Sequence, residues 1–195
     1  MGGYYPAYPV LQLEKNDRYY HSIGVFLLLR KFNASLEEQI AGLIHDVSHS
    51  AFSHTIDYVR DNLGNQEEQN YQDSIHDDYV KNSDLKDIFE KYGIDINYIL
   101  DDSNFTLKEN NLPDICADRI DYSLRQAYGL FNIITKEEKD FIINSLLNYN
   151  GSFVMKDFKS AKLFAEVFWK MDEENWSGMK SAVMFTLLSF LLARG

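Results

Sequence analysis

Proline is rare in this sequence, and its rarity favours helices over strands. The three prolines are Pro6, Pro9 and Pro113, and the long intervals between and after them carry apolar residues three and four positions apart. This spacing places apolar side chains on one face of an α-helix, whereas a half-buried strand would alternate apolar and polar residues. GSFVMKD is the one strand we expect after the N-terminus, and the polar residues 62–74 form the most loop-like interior segment. We therefore predict an all-α fold, a helical bundle with little or no strand.

Local signals predict where several helices begin. Ser35 with Glu38, and Thr135 with Glu138, each form the pattern of a capping box. These pairs predict helices over LEEQIAGLIHDV and over KEEKDFIINSLLNY. Pro113 suits the first position of a third helix, PDICADRIDYSLRQAYG. The apolar spacing predicts further helices at Tyr20–Lys31, Phe52–Asn62, Ile75–Lys81, Asp84–Tyr92, Lys159–Met171 and Gly178–Arg194.

Composition and charge exclude several classes of function. A length of 195 residues and a hydrophobic content of 45% suit one domain with its own core. The 30 acidic residues against 19 basic ones give a formal charge of -11, which repels nucleic acid and anionic lipid over most of the surface. We therefore expect no strong nucleic-acid binding. An anionic ligand must be met by a local positive site.

Three features predict the compartment. The single cysteine, Cys116, cannot form an internal disulfide. The first ten residues lack the basic and apolar regions of a signal peptide. The apolar run SAVMFTLLSFLLA has 13 residues, which as a helix spans about 20 Å against roughly 30 Å of hydrocarbon. We expect a cytoplasmic protein with no membrane partner, in which this run is a buried core helix.

The histidines are clustered in a way that indicates a metal site. All five lie within the first 76 residues, and three of them fall in the segment HDVSHSAFSH that starts at His45. His45 and His49 are four apart and would project from one helix face, with Asp46 adjacent. Imidazole with carboxylate is a ligand set that suits Zn, Fe or Mn. A fourth ligand is still required, and Asp118 and Asp121 are both candidates.

Each of these residues alone has an ordinary explanation. A single histidine on an apolar helix is more often a packed, hydrogen-bonded residue than a ligand, and exposed arginines are often surface ion pairs of little energetic weight. The combination favours a site, because a His-Asp pair next to the apolar residues AGLI would cost about 1–3 kcal/mol for each polar group left unpaired. Something must compensate both groups.

Four segments together resemble a known family. RYYHSIGV, AGLIHDVSHSAFSHTIDYV, SIHDD and ADRIDYSLRQ are similar to motifs of the HD-domain metal-dependent phosphohydrolases, and specifically of the branch that contains the SAM-and-HD-domain dNTP triphosphohydrolases and the bacterial dGTP triphosphohydrolases. The resemblance covers residues 3–129. It implies an HD-domain helical bundle that forms a single domain over residues 1–195, with a metal-site core at about 15–130 and a helical extension at about 131–195 that can be incomplete.

The resemblance also implies roles for individual residues. It favours Asp118 over Asp121 as the last ligand of one divalent ion, either Mn, Fe, Mg, Co or Zn. The implied ligands are His21, His45, Asp46 and Asp118. The implied substrate-binding residues are Arg18 and Arg119 for phosphate and Tyr122 for the sugar. The implied acid-base residues are His49, His54, Asp57 and His76. Gln126 stands where these triphosphohydrolases usually have an aspartate near the sugar.

The expected function is hydrolysis of a nucleotide phosphate by a water that the metal activates, as in a dNTP triphosphohydrolase. The expected partner is a small-molecule phosphate substrate, and relatives assemble as homo-oligomers. Two alternatives stay open. One is a di-iron oxygenase on the same scaffold, in which His49 and His54 bind a second iron, and the other is an inactive nucleotide-binding regulatory module. The number of bound ions distinguishes the hydrolase from the oxygenase.

Overall fold

Helices dominate the computed structural model, which describes residues 17–62 and 71–194, and the all-α prediction is confirmed. Within these residues the helices are α1 (Arg18–Lys31), α2 (Leu36–Ile44), α3 (Thr55–Asn62), α4 (Tyr71–Lys81), α5 (Leu85–Tyr92), α6 (Ile96–Leu100), α7 (Ala117–Gly129), α8 (Lys136–Asn144), α9 (Phe158–Met171) and α10 (Met179–Leu192). A short 3-10 turn, Asp102–Asn104, follows α6, and a π-helical turn, Asp172–Trp176, joins α9 to α10.

Both predicted capping boxes begin a helix, but only one is complete. The Thr135 hydroxyl accepts from the Glu138 backbone N–H at 3.1 Å, and the Glu138 carboxylate accepts from the Thr135 N–H at 2.8 Å. Ser35 caps α2 in the same way, at 3.1 Å from the Glu38 N–H. The Glu38 side chain does not return to Ser35, because its oxygen is bonded to another part of the fold.

Several predicted helix boundaries were wrong, and three of them lie near the histidines or Asp118. α2 ends at Ile44, so His45 and His49 do not share a helix face. α3 begins at Thr55 instead of Phe52, because Ser53 has a φ of 47° that an α-helix excludes. α7 begins at Ala117, after a turn that contains Pro113. Cys116 caps it and accepts from the Arg119 N–H at 3.5 Å.

The predicted strand GSFVMKD is confirmed as β2 (Ser152–Met155), but its partner was missed. β1 (Leu146–Tyr149) pairs with it in antiparallel register, and α8 therefore ends at Asn144. Asn150 and Gly151 connect the strands with φ angles of 52° and 81°. Positive φ at both positions is what a two-residue hairpin turn of type I′ requires, and Asn-Gly is the sequence that supplies it most readily.

Other predicted elements need smaller corrections. α6 was not predicted, and Asp95 caps it by accepting from the Asn97 N–H at 2.9 Å. Of the predicted loop at residues 62–74, residues 63–70 lie outside the described residues, and α4 already begins at Tyr71.

Two apolar clusters form the interior. The larger one joins α1, α7, α8, α9 and the hairpin through residues such as Leu29, Ile120, Ile142 and Met171. The smaller one joins α2, α4, α5 and α6 and includes Ala41, Val80, Phe89 and Ile99. Helix α2 approaches α1 closely at Gly42, where a Cβ atom would lie 2.4 Å from Leu29 Cδ1. The two clusters thus meet along the α1–α2 contact.

Helix α10 was predicted to be a buried core helix, and that prediction was wrong. Its contact with α3 includes a stack of Phe185 on Tyr58, with ring centroids 5.0 Å apart. Met179, Leu187 and Leu191 on the same helix are exposed. No helix in the described part of the chain is long and apolar enough to span a membrane.

The buried Glu38 carboxylate ties α2 to the segment before α7. Its Oε1 accepts from the N–H groups of Leu107 and Lys108 at 2.6 and 2.9 Å. The carbonyls of these two residues accept from the N–H groups of Ala117 and Asp118 at 2.8 and 3.2 Å. Glu38 therefore fixes the segment that positions the first turn of α7.

We predict that Glu38→Ala destabilises the protein by about 3 kcal/mol, because two buried amide groups lose a charged acceptor. Urea unfolding measures the change. Glu37→Ala removes an exposed carboxylate from the same turn and should cost under about 1 kcal/mol. Equal effects of the two substitutions would contradict the role of Glu38.

Candidate active site

Three side chains from distant parts of the chain meet at one point. His21 comes from α1, His45 follows the last residue of α2, and Asp118 lies in the first turn of α7. Asp118 Oδ1 is 2.7 Å from His21 Nε2 and 3.3 Å from His45 Nε2, and the two Nε2 atoms are 3.2 Å apart. One ligand atom from each residue lies within 4.8 Å of the others. This group could hold a metal ion.

The outer nitrogens of both imidazoles support the same interpretation. His21 Nδ1 lies 2.8 Å from Asp121 Oδ2, and His45 Nδ1 lies 2.8 Å from the carbonyl oxygen of Gly42. Histidines that bind metals usually donate the other ring N–H to a carboxylate or a carbonyl, which orients the ring and leaves the inner nitrogen for the ion. The donor set therefore fits a divalent cation.

The sequence left Asp118 and Asp121 as alternatives, and the fold places both against His21. Asp118 faces the shared point, whereas Asp121 lies on the far side of the ring and is held by Arg125, with Nε–Oδ2 and Nη2–Oδ1 distances of 2.8 Å. Gly24 makes this packing possible, because a Cβ atom there would lie 2.0 Å from Asp121 Oδ1. Asp121 orients the imidazole that Asp118 meets.

Asp46 lies beside this group. Its Oδ2 lies 3.7 Å from His21 Nε2, and its Oδ1 lies 3.7 Å from His45 Nε2. Arg18 donates to Asp46 Oδ2 at 2.6 Å, and His49 Nε2 lies 3.2 Å from Oδ1. Asp46 therefore lies next to the shared point and also holds a cationic side chain there.

The charges in the cluster balance one another. Burial lowers the pKa of His21, but hydrogen bonds with Asp118 and Asp121 outweigh it and raise the pKa to about 9. Burial acts in the same way on His45, and Asp118 and Asp46 raise its pKa overall. Burial raises the pKa of Asp118, yet its bonds to both imidazoles bring the pKa well below the ordinary value. A divalent ion bound here would take the place of protons on these imidazoles, because histidine binds metals in its neutral form.

The expected acid-base residues lie near one another but differ in what they contact. His54 is about half exposed, and its Nδ1 is 3.4 Å from Oδ2 of the buried Asp57. His49 faces Asp46, and its ring lies 5.3 Å from the His54 ring. His76 Nε2 lies 3.0 Å from the Ile44 carbonyl oxygen. His54 is therefore the histidine of this set whose ring is most open to a ligand.

The expected substrate residues fall into two places. Arg18 and Tyr122 line a cavity of about 910 Å³ that also contains His21, His45 and Asp118. Arg119 is not among the residues described along that cavity. Its guanidinium donates to the Asp114 carbonyl and to the Asn110 carbonyl, the latter at 3.1 Å.

Sequence reasoning missed part of the cavity wall. Trp176, Ala182 and Phe185 line it from the C-terminal third of the chain, and no sequence motif marks them. Glu109 also lines it, and burial together with the Asp118 carboxylate raises the pKa of Glu109 to about 7. No sequence pattern marked Glu109 as a cavity residue, because its distance from Asp118 depends on how the residues between them fold.

Comparison with known proteins identifies the family. Residues 18–125, which contain the His21, His45, Asp46 and Asp118 set, match the HD domain family. The chain belongs to the HD-domain family. The match ends within α7, so α8, α9, α10 and the hairpin lie beyond it.

Three relatives are similar to this HD-domain chain over most of its length. The uncharacterized protein YdhJ of Bacillus subtilis is 41% identical over 154 residues, which are 78% of this chain and 46% of the relative. The metal-dependent phosphohydrolase cns2 of Cordyceps militaris is 33% identical over 163 residues, 80% of this chain and 46% of the relative. The MG461 homolog of Mycoplasma pneumoniae is 29% identical over 179 residues, which are 80% of this chain and 39% of the relative. The chain spans less than half the length of these relatives.

We predict different effects on metal affinity for the two aspartates of this HD domain. Asp118→Ala removes a proposed metal ligand and should abolish metal binding. Asp121→Ala removes a partner of His21 and should weaken metal binding about 10- to 100-fold. Titration calorimetry with Mn²⁺ measures both changes. Asp87→Ala removes an exposed carboxylate from α5 and serves as the control. Unchanged affinity in Asp121→Ala would contradict its orienting role.

We predict that protein stripped of metal with a chelator loses stability as the pH rises from about 6.5 through about 9. The pKa of His21 is raised in the folded state, so its contribution is fully present below the ordinary value of 6.5 and disappears as the pH passes 9. Urea unfolding at several pH values measures the slope. His21→Gln should flatten it, and an unchanged slope would contradict the assignment.

Proposed function

We propose that this HD domain is a metal-dependent phosphohydrolase that acts on a nucleotide phosphate, in the manner of the dNTP triphosphohydrolases. The observation that carries the proposal is the convergence of His21, His45 and Asp118 on one point at the wall of a cavity of about 910 Å³. The name of the Cordyceps militaris relative, a metal-dependent phosphohydrolase, supports the same reaction class.

The proposed ligands are His21, His45, Asp46 and Asp118. A divalent ion bound there (Mn, Fe, Mg, Co or Zn) would polarise a phosphoryl oxygen and lower the pKa of a bound water. Asp121 and Gly42 hold the two imidazoles in the orientation that this requires. Two carboxylates and two histidines in the set leave room for a substrate oxygen on an ion of higher coordination number.

Phosphate binding is proposed for Arg18 first. A protein with a formal charge of -11 needs local positive charge to hold an anion, and the Arg18 guanidinium lines the cavity between Asp46 and Ser53. Arg119 remains a proposed phosphate contact, although it would have to leave its carbonyl partners to reach one. Tyr122 lines the cavity one helical turn after Asp118, where a sugar attached to the phosphate would lie.

Protonation of the leaving oxygen is proposed for His54. Burial, and then the charges of Arg18 and His49, lower the pKa of His54, which keeps the ring neutral until an anion arrives. A phosphate would raise that pKa by its charge. Asp57, fixed by the Tyr71 N–H at 3.2 Å, would accept from His54 Nδ1 and leave Nε2 for proton transfer.

The other two histidines are proposed to act through their neighbours. His49 lies 3.2 Å from Asp46 and would hold that carboxylate in place. His76 lies 3.0 Å from the Ile44 carbonyl, so it would fix the end of α2 just before His45. In both roles the histidine would position a proposed metal ligand, and of the three histidines only His54 would contact the substrate.

We also propose that residues 1–195 form a single domain that assembles as a homo-oligomer. For the described residues, Phe164 and Met171 of α9 share one apolar cluster with Leu29 of α1 and Ile120 of α7. The segment beyond the family match thus packs into the same interior as the segment within it.

A panel of substrates tests the proposed function. Wild-type protein loaded with Mn, Fe, Mg, Co or Zn is given dNTPs, NTPs, nucleoside monophosphates and generic phosphate esters, and the products phosphate, pyrophosphate and triphosphate are resolved. We expect metal-dependent release that His45→Ala and Asp118→Ala reduce at least about 1,000-fold and that Asp87→Ala does not change.

The products discriminate among the candidate functions. Triphosphate from dNTPs supports the triphosphohydrolase branch, whereas phosphate from monophosphates supports a phosphohydrolase of another specificity. Nucleotide binding without turnover on any metal would favour the regulatory module. Two irons per chain with oxygen consumption would favour the oxygenase and contradict the proposal.

A further inference from the structure

One face of α7 runs from the metal ligands to the aromatic part of the cavity. Asp118, Tyr122 and Gln126 are four residues apart in succession, and all three line the cavity. At 1.5 Å per residue, Tyr122 and Gln126 lie about 6 and 12 Å along the helix from Asp118. A ligand whose phosphate lies near Asp118 would therefore place its organic group beside Tyr122 and Gln126.

Trp176 forms the wall at that far end, and its ring is held on several sides. Its Nε1–H donates to Gln126 Oε1 at 3.0 Å. Its ring centroid lies 5.1 Å from that of Tyr122 and 5.3 Å from that of Phe168, at interplanar angles of 75° and 68°. Gln126 is buried, and Trp176 is partly buried. The indole is thus oriented by the protein itself.

The backbone around Trp176 has an unusual conformation. Trp176 ends the π-helical turn Asp172–Trp176, which the hydrogen bond from the Ser177 N–H to the Asp172 carbonyl closes at 2.9 Å. Turns of this kind are rare and occur frequently at functional sites. Gly178 follows, and a Cβ atom there would lie 3.0 Å from the carbonyl oxygens of Glu173 and Glu174. The sequence after α9 is therefore adapted to this turn.

We propose that Trp176 selects substrates in which the phosphate is carried by a group with a planar aromatic ring, and that Gln126 is the positioning residue that holds the indole for this contact. This inference rests on the proposed function, because it assumes that the phosphate lies at the Asp118 end. A nucleobase is the fitting class of ring, since bases stack on aromatic side chains with little dependence on their identity. Glycerol phosphate lacks such a ring, so Trp176 would not increase its affinity.

Fluorescence tests the contact without catalysis. The chain has two tryptophans, and Trp169 is exposed on α9 and is not among the cavity-lining residues described. In Trp169→Phe protein, Trp176 is the sole tryptophan. We expect purine and pyrimidine nucleoside 5′-monophosphates to quench its emission saturably and glycerol phosphate to leave it unchanged. Absence of saturable quenching by every nucleotide in the set would overturn the proposal.

Kinetics test the selectivity. Trp176→Leu should lower the ratio of kcat/KM for the adenosine phosphate that the substrate panel shows to be hydrolysed to kcat/KM for the glycerol ester with the same number of phosphates about 10- to 100-fold, mainly through KM. Gln126→Leu should lower the same ratio. Gln126→Glu still accepts from the indole N–H and should keep the wild-type ratio. Trp169→Leu is the matched control. Metal content and circular dichroism verify that each variant is folded, and an unchanged ratio in folded Trp176→Leu overturns the proposal.

The two proposals fail in different ways. Saturable nucleotide quenching without release of phosphate, pyrophosphate or triphosphate on any metal would contradict the phosphohydrolase and support the role of Trp176. Phosphate release with the same substrate ratio in wild type and Trp176→Leu would support the phosphohydrolase and contradict the role of Trp176.

Discussion

The rest of the site depends on the two contacts that the His21 imidazole makes with aspartates of α7. Its two nitrogens lie 2.7 Å from Asp118 and 2.8 Å from Asp121, which are 97 and 100 residues further along the chain. Buried polar groups are generally hydrogen-bonded, so these two contacts constrain how α1 packs on α7. Gly24 permits their close approach. The point at which His45 joins them follows from this packing.

The sequence predicted the helical class and the clustering of the histidines, because both depend on local spacing. It could not choose between Asp118 and Asp121, since the choice depends on which ring nitrogen of His21 each carboxylate faces. It also placed His45 and His49 on one helix face, although α2 ends at Ile44. The missed hairpin is different, because the Asn-Gly pair before β2 was a readable signal.

The arginines show why charge alone does not locate a site. Arg18 lines the cavity and holds Asp46, whereas the Arg119 guanidinium donates to the backbone carbonyls of Asp114 and Asn110 and lies 3.5 Å from the Glu109 carboxylate. Carbonyl acceptors are present at every residue and carry no sequence pattern. Which positive charge faces a ligand is therefore a property of the folded chain.

The far wall of the cavity comes from residues outside the family match, which ends at residue 125. The same C-terminal segment supplies Phe164, Val167 and Met171 to the main interior. Trp176 packs against the edge of that interior and ends the turn between α9 and α10. A change of side chain at this turn would therefore alter the far wall of the cavity and leave the residues around His21, His45 and Asp118 in place.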